Sequence, residues 1–318
     1  MILIAFTIAV VGAAGAVLLW MATGRQMLGS GDHKRTLTVD GRERSYLVHI
    51  PSSYDGSTPY PVVLVFHGGG SNAEQLVAYS GMNETADRNR FIAVYPNGTG
   101  ETVQGIAVLL WNGGPRQPGG EVAGVDDVRF TRALLDDLAT VVRVDERRIY
   151  ASGMSMGGIM VYRLASELSD RIAAIASIAG PMGTATCDPT RPVSVLHVHG
   201  TADEAVPFNG GVGRLDQSGT DFYSADYSIQ AWVRANGANP TPTVEALPDT
   251  ADDGTRVSRQ TYGGGKDGTE VVLVTIEGGG HTWPGRDFGP GMEVLGVSTK
   301  DILANDVIWE FFAKHPMK

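Results

Sequence analysis

Four stretches of the chain, residues 61–66, 172–178, 193–198 and 271–276, are apolar nearly throughout and present no polar face. A strand of that kind has to be covered on both sides, as in a buried parallel sheet. The segments between them read as helices over 73–88, 127–142, 156–168, 227–236 and 302–314. Shorter strands are predicted at 91–95, 148–151 and 257–262. Strands alternating with helices predict an α/β fold with a mostly parallel central sheet and helices on both faces. Residues 35–39 and 45–50 alternate in polarity around Asp40-Gly41, the signature of a hairpin. Residues 98–124 are rich in Gly and Pro and have no period, which predicts a long functional surface loop. Neither a repeat nor a linker divides residues 31–318, so one domain is expected there.

Glycine supplies 42 of 318 residues, roughly 13% against a usual usage near 7%. Collagen register is absent, and 42% hydrophobic residues can bury a core, so neither a fibre nor disorder fits. The formal charge, 25 − 35 = −10, comes without any Lys/Arg cluster and argues against a nucleic-acid partner. A lone cysteine, Cys187, excludes an intrachain disulfide and a cysteine zinc site. Residues 1–24 carry no charged side chain, and 2–22 are apolar apart from Thr7, Gly12 and Gly15. As a helix that run would span about 31 Å, near the thickness of a bilayer core. Ala22-Thr23-Gly24 also fits a small-x-small cleavage pattern. The segment reads equally as a cleaved signal peptide or a retained membrane anchor acting through residues 2–22. Either reading exports residues 31–318, secreted or membrane-anchored.

Gly153-Met154-Ser155-Met156-Gly157 matches G-x-S-x-G, the turn that lifts a serine onto a bend between strand and helix. In a glycine-rich chain the pattern alone is weak, but a predicted strand precedes it and a predicted helix comes after. A serine needs a base, and the base needs an orienting carboxylate. In this kind of fold they occur in the order Ser, acid, His. Only His281 and His315 follow Ser155 with room for an acid between. His315 is expected at a fraying C-terminal end, whereas His281 leaves a buried strand on a flexible loop and is the expected base. Among the acids between, Asp203 stands just past the strand 193–198, at the carboxyl edge of the sheet where catalytic groups collect. Glu204 is the adjacent alternative.

His67-Gly68-Gly69-Gly70 follows the first apolar strand, where backbone N–H groups from Gly68 and Gly69 would join that of Met156 as an oxyanion hole. The same glycines loosely match a dinucleotide turn, which would leave Ser155, Asp203 and His281 unexplained. His197 and His199 share a strand face, yet without a third ligand they are expected to pack and not to bind metal. Trp111, Asn112 and Trp283 are candidates for a substrate-binding platform, and Asp126-Asp127 for a helix cap.

Taken together, His67-Gly68-Gly69-Gly70, Gly153 to Gly157, His199-Gly200-Thr201-Ala202-Asp203, and Gly280-His281-Thr282-Trp283-Pro284-Gly285 carry a family resemblance, and Val125-Asp126-Asp127-Val128 extends it. The chain resembles the polyhydroxybutyrate depolymerase and feruloyl esterase family of α/β-hydrolases over roughly residues 33–315. The resemblance implies Ser155 as nucleophile, His281 as base, Asp203 as acid and an oxyanion hole at Met156, Gly68 and Gly69, with no cofactor and no metal. It implies a serine carboxylic-ester hydrolase acting through an acyl-enzyme on short-acyl, hydroxyalkanoate or aryl esters. With no Thr/Ser-rich linker after the last helix, small or oligomeric esters are expected in place of crystalline polymer. An acyltransferase with the same triad, a peptidase, or a non-catalytic binding protein of this fold are the other readings.

Overall fold

Asp40 and Gly41 both lie at positive φ, 51° and 75°, the pairing that a two-residue I′ hairpin turn requires. They join β1 (Gly31–Val39) to β2 (Arg42–Ile50), antiparallel and in register from Val39–Arg42 to Gly31–Ile50. The computed structural model describes residues 27–116, 122, 124–216, 218–289 and 291–318. The predicted export segment, residues 1–24, lies outside the described residues, as do Gly119 and Gly120 of the long loop. Among the described residues, no helix is long and apolar enough to cross a membrane.

The chain continues through β3 (Tyr60–Phe66), α1 (Ala73–Ser80), α2 (Met82–Asn89) and β4 (Ile92–Pro96). A small hairpin comes next, β5 (Thr99–Val103) and β6 (Ile106–Leu110), then α3 (Asp127–Leu138), β7 (Val144–Met154), α4 (Met156–Glu167) and β8 (Ala174–Ile178). β9 (Ser194–Gly200) leads to the short pair β10 (Gly211–Val212) and β11 (Asp221–Phe222), and then to α5 (Ala225–Asn236). The last elements are β12 (Thr243–Ala246), β13 (Arg256–Tyr262), β14 (Val271–Glu277) and α6 (Ala304–Lys314).

Among the described residues, ten strands form one sheet in the order β1-β2-β4-β3-β7-β8-β9-β14-β13-β12. From β4 to β14 neighbours run parallel, and antiparallel strands close both edges. β3 shows why both faces are covered. Val62, Leu64 and Phe66 pack with α3, α4 and α5, whereas Val63 and Val65 pack with α1, α2 and α6. The polar stretch predicted as one helix is two, because Gly81 takes a left-handed conformation (φ 60°) that caps α1 and starts α2. The loop predicted over 98–124 contains a hairpin turning at Gln104 and Gly105, both at positive φ.

Asp126 caps α3, its side chain accepting from the Arg129 N–H, but Asp127 does something else. Its carboxylate is fully buried, paired at 2.7 Å with Arg44 of β2 and accepting the Asn112 N–H at 2.7 Å. Arg44 in turn lies 3.9 Å over the Phe130 ring. Removing one partner leaves a buried charge uncompensated, so Asp127→Ala is expected to destabilise the protein by about 3–5 kcal/mol. Urea unfolding measures this, and a loss below about 1 kcal/mol would mean the pair does not link these elements.

Candidate active site

β7 delivers Ser155 at its carboxyl end and α4 begins one residue later. Ser155 sits at φ 57° and ψ −123°, a conformation that L residues avoid and that functional turns retain. The turn closes only because its flanks lack side chains. A Cβ on Gly157 would stand 2.2 Å from the Phe66 carbonyl oxygen, and one on Gly153 would stand 2.6 Å from Gly157. The Met156 N–H, in the first turn of α4, has no helical partner.

The glycine loop after β3 lies against this turn. A Cβ on Gly68 would touch the Ser155 Cβ at 3.5 Å, and one on Gly69 the Met156 side chain at 3.1 Å. His67 shapes the loop from beneath. Its Nδ1–H donates to the Gly68 carbonyl at 2.7 Å, and its Nε2 accepts the Gly98 N–H at 3.0 Å. Because the peptide is planar and trans, pinning the Gly68 oxygen also fixes the opposite direction of the Gly69 N–H. Those two bonds require a neutral ring, and burial pushes the His67 pKa down to about 4.

The other two predicted residues meet behind Ser155. His281 Nδ1–H donates to Asp203 Oδ2 at 2.7 Å, both side chains being buried. Asp203 Oδ1 accepts from the N–H groups of Ala205 (2.9 Å) and Val206 (2.8 Å). Burial opposes ionisation of Asp203, but the facing His281 and the hydrogen bonds from His199 and His281 outweigh it and hold the carboxyl well below the usual carboxylate range. The His281 loop is tied down in turn: its N–H donates to the Leu295 carbonyl at 2.7 Å, and Gly280 donates to Val297. Ser155 and His281 line one cleft of about 530 Å³ with Gly68, Gly69, Ser71, Gln75, Tyr79, Phe288 and Met292. A smaller cleft of about 240 Å³ opens on the other side of Ser155, among Leu110, Met156, Ile159, Val206, Leu215, Asp216 and Phe222.

The three candidates for a substrate platform are corrected by their surroundings. Trp111 is fully buried, its indole N–H donating to the His67 carbonyl at 2.9 Å, so it braces the glycine loop. Trp283 is fully buried too, donating to Asn305 at 2.9 Å while its backbone N–H donates to the Tyr79 hydroxyl. Asn112 spends its N–H on Asp127, its side-chain amide on the Val125 carbonyl and its own carbonyl on Arg163. None of the three lines either cleft. The ring pair that does is Tyr79 and Phe288, stacked at 4.0 Å and 15°, from segments two hundred residues apart with no local signal joining them. His315 is buried and not frayed, its Nδ1–H donating to the Phe311 carbonyl at 2.7 Å, and it lines neither cleft. His197 and His199 pack, as expected, against each other, and His199 also meets Asp203.

With this geometry established, comparison with known proteins decides the family. The profile described as "Esterase PHB depolymerase" matches residues 44–206. The chain belongs to that esterase family. It is 35% identical over 292 residues, 87% of this chain and 81% of the relative, to "Putative esterase NocK" of Nocardia uniformis subsp. tsuyamanensis. It is 30% identical to "Feruloyl esterase B" of Piromyces equi over 75% of this chain, spanning 42% of that longer protein. Among solved structures, the acetyl xylan esterase from Aspergillus awamori superimposes with a TM-score of 0.60 at 13% identity, covering 88% of this chain and 99% of that one. The fold is that of an α/β-hydrolase, and the protein is an esterase.

The buried neutral His67 has a consequence for acid stability. Its folded pKa is about 4 and its ordinary value 6.5, so the unfolded chain binds the proton first as pH falls. Stability from this residue is full above pH 6.5 and is lost as pH falls toward 4. Between pH 7 and pH 4.5 the wild type is expected to lose roughly 2 kcal/mol more than His67→Gln in urea unfolding. Equal losses would show that the ring accepts a proton in place.

Proposed function

We propose that this esterase is a serine carboxylic-ester hydrolase that works through an acyl-enzyme. Ser155 is the nucleophile, His281 the general base and acid, and Asp203 the carboxylate that orients it. The observation that carries the reading is the 2.7 Å bond from His281 Nδ1 to a buried, fully hydrogen-bonded Asp203, with the His281 ring lining the same cleft as Ser155. With Nδ1–H committed to Asp203, the neutral ring has its Nε2 lone pair free to take the Ser155 proton.

In the first half-reaction Ser155 Oγ bonds to the ester carbonyl carbon as its proton passes to His281. The carbonyl oxygen takes the negative charge, held by the N–H groups of Met156, Gly69 and Gly68. The bond to the alcohol oxygen then breaks, and His281 returns its proton to that oxygen. Water repeats the sequence: its proton goes to His281, its oxygen bonds to the acyl carbon, and Ser155 leaves with the proton restored.

The two clefts divide the substrate. His281 lines only the larger one, and the leaving oxygen has to meet the imidazolium, so the alcohol occupies the cleft with Tyr79, Phe288 and Gln75. The acyl chain enters the smaller, mostly apolar cleft beside Met156, closed by Ile159, Val206 and Phe222. The expected substrates are compact acyl or aryl-acyl esters of a larger or oligomeric alcohol. The relatives' names, feruloyl esterase and bifunctional acetylxylan esterase/xylanase, support that division. The catalytic unit is residues 31–318, exported behind the apolar residues 2–22 as a cleaved signal or anchor.

Ser155→Ala is expected to lower kcat on p-nitrophenyl acetate at least about 10³-fold, with the fold intact by circular dichroism; wild-type turnover in that variant would end the proposal. A panel of methyl ferulate, hydroxybutyrate oligomers and short acyl esters then ranks the acyl groups. Phe222→Ala should enlarge the acyl side and raise kcat/KM for hexanoyl relative to acetyl esters about tenfold, the scale of a few methylene contacts. A change instead confined to alcohol preference would reverse the assignment of the clefts.

A further inference from the structure

Behind Asp203 lies a row of buried side chains that the hydrolytic steps do not use. Tyr162, two turns into α4, places its hydroxyl 2.9 Å from His197 Nδ1. His197 Nε2 is 3.0 Å from His199 Nδ1 on the same strand, β9. His199 Nε2 is 2.8 Å from the Val206 carbonyl and 3.2 Å from Asp203 Oδ2, the oxygen that holds His281. Tyr162, His197 and His199 are each at most 1% exposed, so bulk solvent does not reach them.

The directions of these bonds are set by the two ends. A carbonyl and a carboxylate only accept, so His199 Nε2 carries a proton. Burial, reinforced by the neighbouring His199, holds the His197 pKa well below its ordinary value, and His197 is neutral. Among the described residues the Tyr162 hydroxyl has His197 Nδ1 as its one partner, so it donates there, and His197 Nε2–H then donates to His199 Nδ1. Every polar atom along the row is then satisfied. The hydroxyl of Tyr162 selects the tautomer of His197, and that tautomer selects the one in which the His199 Nε2–H faces the Val206 carbonyl and Asp203 Oδ2.

We infer that Tyr162, His197 and His199 form a one-way hydrogen-bond relay whose output is the position of the Asp203 carboxylate on His281. They are positioning residues. The relay joins the helix that begins at the nucleophile to the loop that carries the acid, and no proton is transferred along it during turnover. Asp203 Oδ1 accepts two backbone N–H groups and Oδ2 the His281 Nδ1–H, while the His199 Nε2–H, bonded to the Val206 carbonyl at 2.8 Å, stands 3.2 Å from the same Oδ2. Without the His199 donor, Oδ2 is held by His281 alone, and the pair loses its fixed orientation relative to Ser155. The inference rests on the triad reading above.

The test is a double-mutant cycle on kcat with p-nitrophenyl acetate. His199→Phe is expected to lower kcat about 10- to 100-fold with KM within about threefold, and His199→Gln, which keeps an N–H donor, to recover most of it. Asp203→Ala is expected to lose about 10³- to 10⁴-fold. In the Asp203→Ala background His199→Phe should cost nothing further, because its target is gone. A structural role would instead multiply the two losses, and that result, or wild-type kcat in His199→Phe, overturns the relay. If His199→Phe does not fold, Tyr162→Phe carries the same cycle. A loss of about three- to tenfold that vanishes beside Asp203→Ala supports the relay, and no loss or an unchanged loss overturns it. Wild-type kcat in Asp203→Ala alone would refute the triad and not the relay.

Discussion

The backbone of Ser155 is the constraint on which the rest of the molecule turns. Holding a serine at φ 57° costs on the order of 1–3 kcal/mol, and only close packing on all sides keeps it there. β3 approaches so near that its Phe66 carbonyl occupies the space a side chain at Gly157 would need. β8 supplies the acceptor for the Ser155 N–H, through the Ile178 carbonyl at 2.8 Å. The parallel centre of the sheet, its apolar strands and its cover of helices on both faces supply that packing.

Around that turn the loops that carry the other polar groups are each tied down by hydrogen bonds. The glycine loop is held from below by His67 and Trp111, which fix the direction of backbone donors without contacting the cleft. Asp203 is desolvated, yet fully hydrogen-bonded and ionised, so its charge acts on His281 in surroundings where such interactions are strong. Gly280 and His281 are held by backbone bonds to residues 297 and 295, and Trp283 anchors the segment after them in the core under α6. Glycines 278–280 suggest a flexible loop, yet each donates its N–H, to Thr201, Ile276 and Val297 in turn.

Much of this is legible in the chain itself. Strands without a polar face imply a two-sided cover, and Asp40-Gly41 marks its hairpin because only a few residue types accept positive φ twice in succession. The order of Ser155, Asp203 and His281 is readable because each comes after a recognisable strand. The part that escapes such a reading is not local. Trp111 and Trp283 carry the same apolar signal whether they meet a ligand or the core, and only their partners show that they brace loops. Tyr79 and Phe288 become a stacked pair solely through tertiary packing. The α1–α2 break hangs on one glycine inside a polar stretch, and the β5–β6 hairpin has too little alternation to stand out. His197 and His199 pack as their place on one strand face implies, but the direction of their bonds needs the Val206 carbonyl and Asp203 in place.

Acylation of Ser155 is tested most directly by intact-protein mass spectrometry after acid quench. Mixing the enzyme with excess p-nitrophenyl acetate and quenching in the steady state is expected to add one acetyl mass, mapped by proteolysis to the peptide containing Ser155 and absent from Ser155→Ala. Turnover with an adduct on another residue, or the same adduct in Ser155→Ala, would contradict the account.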